Sequence, residues 1–129
     1  MAEFRLCSPL TIPRPRARDL PLNLNEYRNA HFQQLNNMKK RFKGIMASQI
    51  EELPQLGRIQ IEYTLYPKTK RLCDVANVLS VLDKFFCDAL SELGKIEDDN
   101  YLYVPKVSYE IGEVDKDNPR AEILIKEIN

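Results

Sequence analysis

One helix-like stretch of the sequence carries a line of polar residues across from an otherwise apolar surface. At about 100° per residue Asn77, Lys84 and Asp88 fall on one line, with Asp74 just before the first turn. A paired Asp98-Asp99 follows the stretch. If the helix returns the chain to its own sheet, carboxylates from separate elements can share one hard cation, since Mg²⁺ prefers oxygen ligands and tolerates several waters. A cation held this way activates water and neutralises charge on a phosphate undergoing displacement, and Lys84 is free to stabilise the developing negative charge. The plainer alternative is a solvated helix face with a capping Asp, and composition does not separate the two.

The elements that must position these groups are read from periodicity. Residues 2–12 alternate weakly through Phe4, Leu6, Leu10 and Ile12 and suit an edge strand. Pro13-Arg14-Pro15-Arg16-Ala17-Arg18 then reads as a basic loop that cannot continue regular pairing. From about Asn25, Tyr27, His31, Leu35, Met38, Phe42, Ile45, Met46 and Ile50 recur at three and four, which predicts one long amphipathic helix. Residues 58–66 alternate polar with apolar as a half-buried strand stopped by Pro67. The second helix is expected from about Val75 to Leu93, with Gly94 as its stop. A strand near Tyr101–Ile111, a hairpin-like connection from Gly112 to Pro119 and a last strand Ala121–Ile128 complete the order β-α-β-α-β-β. This predicts a single domain over 1–129 of α+β, or mixed α/β, class: a mixed sheet flanked by two helices.

Composition narrows the setting. The 129 residues are 43% apolar and 29% charged, as in an ordinary globular chain, and no run has the apolar length a membrane span needs. With no basic stretch and apolar signal core at the N-terminus, a cytoplasmic location is expected. Cys7, Cys73 and Cys87 are odd in number and widely spaced, so they read as reduced thiols and not as a zinc site. Net charge is zero, but residues 1–72 hold 13 Lys and Arg against 6 Asp and Glu, and residues 73–129 hold 6 against 13. A basic half of +7 can grip phosphates while an acidic half of −7 holds cations; two solvated surfaces would look the same.

The run Lys68-Thr69-Lys70-Arg71-Leu72-Cys73-Asp74-Val75-Ala76-Asn77, then Asp83-Lys84-Phe85-Phe86-Cys87-Asp88-Ala89-Leu90, then Glu97-Asp98-Asp99-Asn100, resembles the core of the RusA family of Holliday junction resolvases. That family's pattern is a basic loop, Asp-x-Asp-Asn, a helix with Lys and Asp-Ala-Leu, then Gly and a paired Asp-Asp. With its flanking strands the likeness spans about residues 57–128, and Leu22-Asn23-Leu24-Asn25-Glu26-Tyr27 resembles the family's early Asn and Tyr region. The resemblance implies a homodimeric, structure-selective endodeoxyribonuclease of phage or prophage type, working in a bacterial host cell. Such an enzyme binds four-way and related branched DNA and nicks two strands symmetrically with Mg²⁺ or Mn²⁺. Residue by residue it makes Asp74 the first catalytic carboxylate, Asn77 the following Asn, Lys84 the essential lysine, and Asp99, with Asp98 beside it, the later metal-binding carboxylate. Ala76 stands where the family has its second Asp, and four further residues separate Asn77 from Lys84. Four residues are about one helical turn, so the face survives. Loss of an anionic ligand weakens a hard-cation site unless another oxygen donor replaces it. Asp88 is the better aimed substitute, Asp83 the nearer. An inactive junction binder of the same fold is the alternative implied by that loss.

Other groups have two readings each. Lys68, Lys70 and Arg71 are natural phosphate clamps or an exposed basic turn, and Arg14, Arg16 and Arg18 are similar. Phe85 and Phe86 sit on the apolar stripe, where core packing outweighs wedging between bases. His31 is in phase with the first helix's apolar side, which suits a buried or dimer-facing imidazole better than a catalytic base. A third function class, an α+β interaction protein whose basic loops meet an acidic protein, would bind in a salt-insensitive way and ignore junctions.

Overall fold

The computed structural model describes residues 2–128. In chain order its elements are β1 (Glu3–Ser8), β2 (Thr11–Arg14), β3 (Ala17–Pro21), α1 (Leu24–Asn29), α2 (Phe32–Glu51), β4 (Ile59–Tyr66), α3 (Val75–Glu92), β5 (Lys106–Ile111) and β6 (Arg120–Glu127). The main sheet has the order β1-β6-β4-β5. β4 and β5 are parallel, and the other neighbours are antiparallel. The chain is thus α+β with a mixed sheet.

β4 forms where the alternation predicts it. Ile59, Ile61, Tyr63 and Leu65 are buried on the helix side, and Gln60, Glu62, Thr64 and Tyr66 are half-buried on the other. β6 repeats the pattern with Ala121, Ile123 and Ile125. Burying apolar side chains on one face fixes the register, since a slip by one residue would turn each set outward. Tyr63 meets Phe86 of α3 edge to face, with ring centroids 6.3 Å apart. The buried side chains form one cluster running through both layers.

α3 starts and stops by local chemistry. The Asp74 carboxylate accepts from the Ala76 N–H at 3.1 Å, a helix N-cap. At the other end Gly94 takes φ +76, and the Gly94 and Lys95 N–H groups donate back to the Ser91 and Leu90 carbonyls. This is a Schellman termination, which favours glycine because the left-handed region crowds a Cβ. Lys95 also reaches across to donate its ammonium to the Leu53 carbonyl at 2.7 Å, tying the segment after α2 to the end of α3.

Three expectations are corrected. Residues 13–18 are not an unpaired loop: β2 and β3 make a hairpin that pairs Ile12 with Leu20 and Arg14 with Ala17, turning at Arg16 with φ 58. Pro13 fits because a two-stranded ribbon leaves donor positions facing outward, Pro15 lies in the turn itself, and burial of Ile12 and Leu20 anchors the hairpin. The single long helix is two. Ala30 and His31 are extended, with ψ 135 and 150, and separate α1 from α2. Asn23 caps α1 by accepting from the Glu26 N–H, and Tyr27 lies 6.1 Å from Phe85, while α2 buries Met38, Phe42, Met46 and Ile50. β5 begins at Lys106 and not near Tyr101, because Asn100 gathers the chain into a turn by accepting from the Leu102 and Val104 N–H groups and Pro105 has no N–H to pair. The extra hairpin and the split helix make the observed order longer than the expected one while the class is unchanged. Among the described residues no helix is long and apolar enough to cross a membrane.

Candidate functional site

The β4-α3-β5 crossover decides where the predicted site residues go. Because β4 and β5 are parallel, the segment leaving β4 and the segment entering β5 lie at opposite ends of the sheet. α3 runs between them, and its 18 residues span about 27 Å. Asp74 is the cap at its head. Asp98 and Asp99 follow its tail, close enough that Asp88 and Asp98 add to the electrostatics of Asp99.

The head end gathers several of the predicted residues. Lys68, Arg71, Asp74 and Asn77 line one open groove of about 460 Å³ together with Asn23 and Thr69. Lys68, Lys70 and Arg71 are all exposed. The connection after β5 runs beside them: the Gly112 N–H donates to the Leu65 carbonyl and the Asp115 N–H to that of Pro67. Arg120 holds this connection down, bonding Asp115 at 2.8 Å and Glu122 at 2.9 Å while its guanidinium lies 4.2 Å from the Tyr66 ring centre. Asn23 was not among the predicted site residues. Its signal was the Asn-rich leader before the first helix, which only folding brings beside Asp74.

The tail end holds the acidic group. The Asp98 carboxyl is held below its usual range by the Asp99 backbone N–H and the Asn100 amide. The Asp99 carboxyl is pushed up by partial burial first, then by its bond with Asp98 and the charge of Asp88. The two carboxyls therefore divide into one that keeps its charge in acid and one that gives it up early.

The two proposed substitutes for the missing carboxylate are both engaged. Asp88 pairs with Lys39 of α2 at 3.7 Å. Asp83 accepts from the Tyr63 hydroxyl at 2.6 Å, the Tyr109 hydroxyl at 3.1 Å and the Cys87 thiol at 3.3 Å. Lys84 is exposed on the outer face of α3, as the helical wheel places it. Arg14 lines a separate groove with His31, Gln34 and Arg41, and its side chain donates to the Arg18 carbonyl at 2.8 Å. Arg16 and Arg18 are exposed, and His31 stands exposed at the start of α2 and is not buried. The opposed charges of the two halves meet in part along α2 and α3, where Lys39–Asp88 and Lys43–Glu92 bridge them.

One chain therefore does not bring Asp74 to Asp98 and Asp99, and the expected convergence on a single ion is corrected. Among the described residues no three acidic, His or Cys side chains group to hold a metal. The residues of a single chain do not fit the implied Mg²⁺ or Mn²⁺ site.

The polar knot around Asp83 has its own signature. Burial raises the Tyr63 phenol well above its ordinary range, with Cys87 and Asp83 adding to it. Burial and then Asp83 likewise raise Cys87 and Tyr109. All three are neutral in the native state at alkaline pH where the unfolded chain ionises, from about 8.5 for a thiol to 10 for a phenol. The unfolded state then binds fewer protons, so stability is intact below that window and falls as pH rises through it. Urea titrations from neutral to strongly alkaline pH should show this decline, and Tyr63→Phe should make it shallower.

The chain matches no family model, and no curated protein matches it.

Proposed function

We propose that the protein binds four-way and related branched DNA and acts on it as a structure-selective endonuclease of the RusA kind. The observation that supports this best is the groove at the head of α3, where exposed Lys68 and Arg71 stand over Asp74 and Asn77. Basic side chains at the rim position a phosphate, and Asn77 adds a neutral donor. One carboxylate among cations orients the backbone without repelling it. Lys84 faces solvent further along the same surface, within a face that a DNA arm can follow.

A second reading, a junction binder that does not cut, is favoured by the distance between Asp74 and the Asp98-Asp99 pair. The experiment that separates them is incubation of the purified protein with a synthetic four-way junction in Mg²⁺ or Mn²⁺, scored for symmetric nicks and for binding. Phosphate contacts release counterions, so affinity should fall steeply with salt. Lys68→Ala and Arg71→Ala should each lower the slope of log K against log salt by about 1 while affecting all junction sequences alike. Unchanged slopes in both would remove the loop from the interface.

A further inference from the structure

The two edges of the main sheet are finished differently. At β1 the Gln49 side chain of α2 accepts from the Cys7 N–H and donates to the Cys7 carbonyl, both at 2.8 Å, so a side-chain amide takes the place of a neighbouring strand. β5 has no such cover: β4 occupies one side, and among the described residues no strand pairs with the other. The Gly112 N–H donates to the Leu65 carbonyl of β4, and backbone groups alternate sides along a strand. Lys106, Ser108 and Glu110 therefore turn their N–H and C=O groups to β4, while Val107, Tyr109 and Ile111 turn theirs outward. The strand holds no bulge and no proline, so its outward donors and acceptors stand in line as a template for another strand.

Val107, Tyr109 and Ile111 pair in register with Ile61, Tyr63 and Leu65, so their side chains share the helix side of the sheet. Beyond Ile111 lies a groove of about 290 Å³ lined by Leu72, Val75, Ile111 and Val114 together with the cations Lys70 and Arg71. Leu72 is 96% exposed, and among the described residues neither Lys70 nor Arg71 makes a salt bridge. At the other end, ahead of Lys106, stands the exposed acidic turn Glu97-Asp98-Asp99. The open edge is thus apolar along its length, positive at one end and negative at the other.

We infer that β5 receives an extended peptide segment of another protein as an added antiparallel strand, with apolar side chains at alternate positions, acidic residues before them and basic residues after. Antiparallel pairing lets each outward residue exchange two hydrogen bonds with the residue opposite it. Those opposite residues lie on the helix side, so apolar ones meet Val107, Tyr109 and Ile111, and the first of them covers the groove. The acidic residues ahead of it reach Lys70 and Arg71, and the basic ones behind reach the acidic turn. A second copy of this chain fits less well, because antiparallel self-pairing would bring its Lys106 toward Lys70 and Arg71. The surface does not rest on the nuclease reading, although it shares Arg71 with the proposed phosphate contacts.

The probe is a fluorescein-labelled peptide, Asp-Glu-Val-Thr-Val-Thr-Val-Lys-Lys, with the charge-exchanged Lys-Lys-Val-Thr-Val-Thr-Val-Glu-Asp as its control. By fluorescence anisotropy the first should bind the unaltered protein about tenfold more tightly than the second, and Lys70→Glu combined with Arg71→Glu should reverse that preference. Ile111→Pro should weaken the first by about tenfold, since it removes an outward donor and keeps every bond to β4. Far-UV circular dichroism checks that this variant is folded. Amide exchange locates the contact: the Val107, Tyr109 and Ile111 N–H groups should exchange freely in the protein alone and slow when the peptide binds, while those of Ser108 and Glu110 are slow throughout. No binding, equal affinity for the two peptides, or binding that leaves the three amides unprotected overturns the proposal. So does a protein that sediments as a dimer with those amides already protected, which gives the edge to a second copy.

Discussion

Asp99→Asn is expected to abolish junction cleavage, by about 100-fold or more, while junction affinity is unchanged or slightly raised. The reasoning starts from the two carboxyls of the acidic turn. Asp98 is committed to the Asp99 backbone and the Asn100 amide, and those donors keep it charged. Asp99 is the more basic oxygen donor, because burial and its acidic neighbours disfavour its charged form. On the proposed nuclease reading Asp99 is the carboxylate that the resemblance assigns to the chemistry, and its raised proton affinity sets it apart from Asp98. Asn keeps the shape and removes the charge. Binding is expected to survive because the proposed phosphate contacts lie at the Lys68–Arg71 end, and loss of a negative charge lessens repulsion of DNA. The same argument sets a pH dependence: as pH falls, Asp99 takes up a proton before an ordinary carboxylate does, so cleavage should decline earlier than carboxylate titration alone predicts. Junction cleavage and gel-shift assays on the variant, repeated across pH, check both parts. Full activity of Asp99→Asn would remove it from the chemistry.

Phe42→Ala is expected to destabilise the protein by about 3–5 kcal/mol, against a total of about 5–15 for a domain of this size. Phe42 is wholly buried in α2 and meets Phe85 of α3 edge to face at 5.8 Å. Truncation removes its buried area and leaves a cavity between two helices whose backbones are already fixed by the Schellman turn and the Lys95 bond. Relaxation into that space is therefore small. Urea melts should show a lower midpoint with little change in slope. Phe32 is the control. It lies in the same helix, is 74% exposed, and Phe32→Ala should change stability by no more than about 0.5 kcal/mol. Equal effects at the two positions would mean that α2 packs by a different face.

The contrast between those two phenylalanines shows what periodicity can and cannot convey. The stripe through Phe42, Met46 and Ile50 was legible because each residue answers to one neighbouring layer, and so were α3, its Gly94 stop and the alternation of β4. The break at Ala30 was not. Residues before and after it keep the same three-and-four spacing, and Tyr27 and Phe42 both pack on Phe85, so nothing in the pattern marks the extended backbone at Ala30 and His31 that separates the two helices. The β2–β3 hairpin was hidden because Pro13 and Pro15 argue against pairing, whereas the burial of Ile12 and Leu20 that overrides them is tertiary. At the candidate site, the grouping of Lys68, Arg71, Asp74 and Asn77 is local in sequence and was legible. The separation of Asp74 from Asp99 follows from the parallel pairing of β4 and β5, which no spacing along the chain encodes. The Tyr63 and Tyr109 hydroxyls on Asp83 were equally invisible, since both tyrosines read as ordinary strand formers.

The pairing of β1 with β6 matches Glu3 with Lys126 and Ser8 with Ala121. The two strands are thus joined across almost the whole sequence, and the sheet position between β1 and β4 stays empty until residues 120–127 have been made. At synthesis rates of about 5–20 residues per second, β1 waits roughly 6 to 24 s for the strand it pairs with. During that interval Phe4 and Leu6 have no sheet to cover them. Pairing of β1 in the nascent chain is therefore gated by the emergence of β6 from the ribosome.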